Sequence, residues 1–326
     1  MEITDETLDW LLDSDPAIRW QVLRDLTDAS PVEVAAERSR VAVEGFGARL
    51  LSMQDPDGRW DGGTYRPGWV DRSRPMYDAW TATHFTMQTL REFGVDPAEE
   101  RVVKAVELVR EVHWEWDGGL LYFEGETEPC ANGVVLANAV YFGQDGSKVL
   151  GVLLDGQLGD GGWNCETDTD VSSFHSTICA LDGLLAWERA ATPGDPRTPE
   201  VRHARERGEE YLLERRLLWR RSTGDLVDPR FAMLSWPTRW YYDVLRALDH
   251  LRLARPEGDP RVADAVELLR AKADAAGRWT IENEHGGPIP FHMDGEWEGG
   301  RSRWVTLHAL RVLRWAESWA DVSATG

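Results

Sequence analysis

The chain has 326 residues, with 57 acidic against 36 basic side chains and a formal net charge of −21. A field of that sign repels phosphate backbones and anionic headgroups, which argues against nucleic acid as a partner; its plain meaning is solubility. The 3 cysteines, an odd number, do not make a disulfide framework, and no apolar run is long enough to span a bilayer.

Taken in order, the chain starts Met1-Glu2-Ile3-Thr4-Asp5, acidic and without the apolar stretch of a secretory leader, so a cytoplasmic protein is expected. Residues 6–28 read as an amphipathic helical pair, with Trp10, Leu11 and Leu12 before the turn Asp13-Ser14-Asp15-Pro16 and Ile18, Trp20, Val22, Leu23 and Leu26 after it. Asp15 before Pro16 is capping chemistry for the second helix. The phrase D-P-A-I-R-W-Q-V-L resembles a HEAT-type helical unit. Residues 1–44 are therefore expected as a helical cap on a repeat domain at 45–326, the two forming one continuous unit.

That repeat domain announces itself through a phrase that occurs twice. Gln54 to Trp60 and Gln157 to Trp163 both read Q-x-x-x-G-x-W. Gly277-Arg278-Trp279 is an eroded third copy with Ala273 in place of the Gln, and Trp116-Asp117-Gly118-Gly119 is a candidate fourth. Each phrase follows an apolar helical stretch, which its Gly ends; the Gln amide is free to bond nearby backbone, and the Trp covers the turn. Between these turns lie helices expected to start near Trp80, Cys130, Ser173, Arg239 and Arg303. Five such pairs and the N-terminal hairpin suffice to close a ring.

The Q-x-x-x-G-x-W turns, the 17 tryptophans and the paired helices resemble the α/α-toroid of squalene cyclases, class II terpene cyclases and protein prenyltransferase β subunits. The resemblance covers most of residues 45–315. It implies an all-α toroid whose inner helices surround a cavity, with their N-terminal ends at one mouth. It also implies a prenyltransferase- or terpene-cyclase-like enzyme acting on a small, partly hydrophobic, anionic or isoprenoid substrate.

Three groups of residues are candidates for chemistry. Glu128-Pro129-Cys130 is similar to the Asp-x-Cys zinc element of prenyltransferases, and Phe174-His175-Ser176-Thr177 to its later His element. Zinc would then be held by Cys130, His175, Glu128 and Cys165, with Cys130 and His175 catalytic; structural roles for the same Cys and His are the alternative. The stretch Glu166-Thr167-Asp168-Thr169-Asp170-Val171 is similar to the D-x-D-D acid of class II cyclases but ends on Val171, which leaves Asp170 as the candidate acid or as a helix cap. His84, Arg239, Trp240, Tyr242, Arg303 and Trp304 form a cationic and aromatic set suited to an anionic substrate. Arginines at helix starts oppose the macrodipole unless an anion or a carboxylate of the protein answers them. Two other classes stay open, a non-catalytic binder of a hydrophobic ligand and a structural ring plugged by its own side chains.

Overall fold

The computed structural model describes residues 3–71, 79–116 and 119–324, with side chains described as far as residue 319. Among the described residues the chain is all-α, with isolated bridges but no named strand. Inner helices are α2 (Pro16–Leu26), α5 (Thr83–Phe93), α7 (Pro129–Tyr141), α9 (Phe174–Ala190), α11 (Val244–Ala254) and α13 (Arg303–Ala324). Each follows an outer partner in the chain: α1 (Asp5–Leu12), α4 (Gly45–Ser52), α6 (Glu100–Val109), α8 (Ser147–Asp155), α10 (Thr198–Leu213) and α12 (Ala263–Ala271). A further short helix, α3 (Pro31–Ser39), packs on α2.

Local chemistry sets the boundaries. One oxygen of Asp15 accepts from the amide of Ala17 at 2.9 Å to cap α2, with Pro16 at its first position. Its other oxygen accepts from Phe46 at 2.7 Å, at the start of α4. A single carboxylate thus starts two helices. Ser30 and Glu33 close a reciprocal capping box on α3. The inner helices are largely buried, and α7 carries apolar residues on nearly all sides.

The repeated turns are superimposable in their bonding. The indole N–H of Trp60 donates to Leu50 O at 2.8 Å, that of Trp163 to Leu153 O at 2.7 Å, and that of Trp279 to Leu269 O at 2.8 Å. The three backbone amides donate to Thr83, Thr177 and Thr306, each on the following inner helix and each at 3.0 Å. Gln54 donates to Gly58 O and to Ala105 O on the next outer helix; Gln157 does the same with Gly161 O and Ala204 O. The amide therefore ties each turn to its neighbour. Gly161 sits at φ 99° with the Arg207 carbonyl so close that a Cβ would meet it at 2.6 Å, so the turn needs its glycine twice over. In the third copy Ala273 makes no such tie. There the Thr7 hydroxyl of α1 donates to Ala276 O at 2.7 Å, and Arg278 reaches Glu6. Trp116 does not repeat the pattern, since its indole donates to the Glu126 carboxylate at 3.1 Å; Asp117 and Gly118 lie outside the described residues.

Neighbouring inner helices contact each other in the order α5, α7, α9, α11, α13, α2. The order returns to its start through α2. Trp20 donates to Phe93 O at 2.9 Å and Gln21 to Glu92 O at 3.0 Å on α5, while Arg311 of α13 reaches Gln21 Oε1 at 2.9 Å and pairs with Asp25. The N-terminal hairpin thus sits within this circuit of contacts. Helices α7 and α9 approach closely at Gly133 and Gly183, where a Cβ on Gly133 would lie 2.0 Å from Cys179 O. Only residues without a side chain permit that contact.

The segment Leu234–Asp243 departs from the expected pattern. Arg239 does not begin a helix; it adopts φ 57° in an irregular stretch, and α11 starts only after Asp243, whose carboxylate caps Arg246. The stretch is held from both sides. Gln88 of α5 donates to Arg239 O at 3.0 Å, and Arg246 of α11 donates to Arg239 O at 3.2 Å and Tyr241 O at 2.7 Å. Residues of this one stretch line three separate cavities, and so divide the interior.

Candidate functional site

A cavity of about 770 Å³ is bounded by all six inner helices and by Ser235, Trp236 and Thr238 of the crossing segment. It lies toward the C-terminal halves of α5 and α7, where Gln88, Arg91, Glu92, Val140 and Tyr141 face it. Its wall carries 6 arginines (Arg24, Arg91, Arg189, Arg246, Arg252, Arg311) against 4 carboxylates (Asp25, Glu92, Asp182, Asp249), with His250 and His308. Apolar ground is supplied by Ala137, Val140, Leu185, Leu245, Leu253 and Val305.

Most of these charges are paired. Arg246 meets Asp182 at 2.8 Å, Arg252 meets Asp249 at 2.8 Å, and Arg24 and Arg311 share Asp25. His250 lies between Asp182 and Glu209, each at 3.2 Å. Burial works against its charged form, but the two hydrogen-bonded carboxylates win and push its pKa up to about 9. Among the described residues no carboxylate pairs with Arg91, whose Nε donates to neutral Asn138 at 2.9 Å, or with exposed Arg189.

His308 of α13 lines the same cavity, its Nδ1 3.2 Å from Asp249 Oδ2. Burial opposes ionisation of Asp249, yet Arg252 and His308 hold its carboxyl well below the usual range. An ionised carboxylate only accepts, so the His308 Nδ1–H donates to Asp249 and leaves Nε2 facing away from that bond. A carboxylate that orients an imidazole in this way is an arrangement suited to general acid–base work.

The residues singled out from sequence do not converge on this cavity; the structure distributes them over other places. Cys130, at the start of α7, has Glu128 Oε2 at 3.6 Å and Cys165 Sγ at 2.9 Å, and Cys165 has Ser176 Oγ at 3.2 Å. Ligand atoms of Glu128, Cys130 and Cys165 lie within 4.8 Å of one another. The hydrogen bond between the thiols raises Cys130 and lowers Cys165, so any thiolate forms on Cys165. His175 is not in this group. Its Nδ1 accepts from the Tyr242 amide at 2.8 Å, and its ring stands edge-on to Phe231, Trp240 and Tyr241 beside a recess of about 200 Å³ that also holds Arg230, Asn283 and His285. Burial, with Arg246 and Arg230 nearby, brings its pKa down to about 4. A tight Tyr242 bond on one nitrogen and an aromatic enclosure commit His175 to this recess.

Asp170 is exposed, without the dry surroundings that a protonating acid needs, and α9 is preceded by Ser173 with no side-chain cap. His84 is enclosed by Tyr65, Phe85, Trp114 and Tyr122, where burial lowers its pKa to about 3. Arg239 is buried over the Trp80 ring with Thr89 at 3.1 Å, and burial lowers it to about 10. Arg303 turns outward onto Trp10 and the carbonyls of Trp10 and Asp13. Trp304 stacks on Trp236 with centroids 4.6 Å apart, Trp240 stacks on Tyr241 at 3.8 Å, and the Tyr242 hydroxyl donates to Leu217 O at 2.6 Å. The expected positive mouth at the N-terminal helix ends is therefore not built from Arg239 and Arg303. A small aromatic pocket of about 40 Å³, with Trp80, Phe93, Trp236 and Phe291, lies on that side of the crossing segment.

The sequence reading missed Asp182, Arg246, Asp249, His250 and His308. The signal was present as polar residues inside otherwise apolar inner helices, such as Asp182 between Leu181 and Leu184 and Asp249-His250 between Leu248 and Leu251. Ionisable groups within buried helices mark a polar interior.

No family model matches the chain, and no curated protein matches it. Among solved structures it is similar to a protein from Actinoplanes, at 18% identity over 93% of this chain and 90% of that one, with a TM-score of 0.43. It is also similar to the apo type II terpene cyclase MstE from Scytonema, at 16% identity over 91% of this chain and 85% of that one, with a TM-score of 0.43. A single-residue variant of the same cyclase gives 16% identity and a TM-score of 0.44 over 94% of this chain and 88% of that one.

Proposed function

We propose that this chain is an enzyme of the terpene-cyclase and prenyltransferase type that takes a small, anionic, partly hydrophobic molecule into the 770 Å³ cavity. The observation that carries the reading is the sign of the cavity wall. Six arginines and charged His250 outnumber four carboxylates there, although the chain as a whole carries −21. Such inversion concentrates anions from an otherwise repelling surface. Arg91 and Arg189 are the anion-binding pair, the apolar wall receives the rest of the molecule, and His308, oriented by Asp249, moves the proton. The isoprenoid character of the substrate rests on the resemblance of the Q-x-x-x-G-x-W turns.

Zinc belongs to the proposal at Glu128, Cys130 and Cys165, where three ligands leave a fourth position open. Two cysteine sulfurs and a carboxylate are a donor set that suits zinc. When bound it would supply activation of a thiolate or a water. None of the three ligands lines the central cavity, and metal analysis of protein purified without chelator tests this part.

The binding reading is tested with inorganic pyrophosphate and medium-chain carboxylates, followed by tryptophan fluorescence, since Trp236 borders the cavity. Binding should weaken by roughly tenfold, or about 1.4 kcal/mol, in Arg91→Gln and again in Arg189→Gln. Absence of binding at millimolar concentrations, or equal binding by the double variant, would overturn it. One observation favours a structural role for the other half of the ring: Trp236, Pro237 and Arg239 fill it down to the 40 Å³ pocket.

A further inference from the structure

The Cys130 and Cys165 sulfurs are 2.9 Å apart, nearer than two thiols need to be for packing and less than an ångström from the disulfide bond length of about 2.05 Å. They come from different elements. Cys130 is the second residue of α7, while Cys165 follows the Trp163 turn in the loop before α9. Cys165 is half-buried and Cys130 buried, so a reagent from solvent meets Cys165 first. The third thiol, Cys179, is fully buried in α9 against Trp240 O and Arg246.

We infer that Cys130 and Cys165 are a reversible oxidative modification site, with Cys165 the attacking thiol and Cys130 the resolving one. The oxidant class is a low-molecular-weight disulfide. Cys165 attacks one of its sulfurs, forming a mixed disulfide and releasing one small thiol that takes up the proton. Cys130 then attacks the Cys165 sulfur, forming the intrachain bond and releasing the second small thiol with the second proton. The protein loses two protons and two electrons, and the reagent is reduced to two thiols. The product tethers the loop after the Trp163 turn to the start of α7. It excludes a metal on the same sulfurs, so the disulfide and the zinc proposed above are alternative states of this site, while the anion-binding part of that function is independent of it.

The test uses the full chain, treated with chelator and then with oxidised glutathione, and reads intact mass and cross-linked peptides. Wild type should lose two hydrogens, yield a peptide joining Cys130 to Cys165, and recover fully with dithiothreitol. Cys130→Ser should instead retain glutathione on Cys165, and Cys179→Ser should behave as wild type. Circular dichroism of both variants controls for folding. A stable glutathione adduct on wild type, a bond to Cys179, or both thiols still alkylatable after treatment would each overturn the inference. Pyrophosphate binding to the Arg91 and Arg189 variants is a separate readout, so either idea can fail alone.

Discussion

His250 shows how one residue ties chemistry to stability. Its two nitrogens face Asp182 of α9 and Glu209 of α10, and Glu209 also meets Arg205 and Arg255. Burial alone would raise Glu209, but the bonded His250 and the arginines bring it down to about 2. The signs are opposite. His250, raised from 6.5 to about 9, contributes stability that is complete below its unfolded pKa and lost as pH rises through about 9. Glu209, lowered from 4.5 to about 2, contributes stability present above its unfolded pKa and lost as pH falls toward about 2. The Tm should therefore fall between pH 6.5 and 9, and His250→Gln should flatten that alkaline limb while lowering the plateau. An unchanged alkaline limb in the variant would show that His250 is neutral in the folded protein. Nothing in the sequence around His250 discloses this pairing, because both partners are more than 40 residues away. The thiol pair was legible only in part. Cys130 and Glu128 stood out as a short motif, whereas the displacement of His175 depended on the Tyr242 amide, a backbone group that side-chain patterns do not report.

At the scale of elements, the sequence was most informative where one interaction recurs. Gln, Gly and Trp at fixed spacing reported a turn whose bonds are the same in each full copy, and those bonds are local enough to be read from spacing. Gln157→Ala should cost about 1–3 kcal/mol in urea denaturation, since it leaves Gly161 O and Ala204 O short of a donor and frees Arg207, which bonds Gln157 at 3.0 Å. Ala273→Gln, restoring the consensus in the third copy, should not recover a comparable amount, because Thr7 and Arg278 already occupy that junction. A large gain would mean that the N-terminal hairpin answers the third turn poorly. The crossing segment was not legible for the opposite reason. Arg239-Trp240 looks like Arg303-Trp304, but only Arg303 begins a helix; Pro237 and the Asp243 cap delay α11 until Val244.

For the molecule as a whole, the circuit of helices depends on α2, and the decisive contact is a charge. Arg311 of α13 is buried and carried by Asp25 and Gln21 of α2, while Asp25 also has Arg24. The pair is therefore asymmetric. Removing the carboxylate leaves a buried guanidinium without its hydrogen-bonded counter-charge, with only the field of Asp249 remaining, which costs several times more than removing the arginine, since Asp25 retains Arg24. Asp25→Asn should lower unfolding free energy by roughly 3–5 kcal/mol, Arg311→Met by about 1 kcal/mol, and the double variant by much less than the two together. Asp25 also lines the central cavity, so its neutralisation makes the wall more positive. Asp25→Asn should then bind pyrophosphate more tightly per folded molecule even as it unfolds more easily. These two effects separate the clasp from the cavity. A destabilised variant with unchanged binding would place Asp25 outside the field that the anion meets, and a variant as stable as wild type would show that α2 is held to α13 by its apolar face alone.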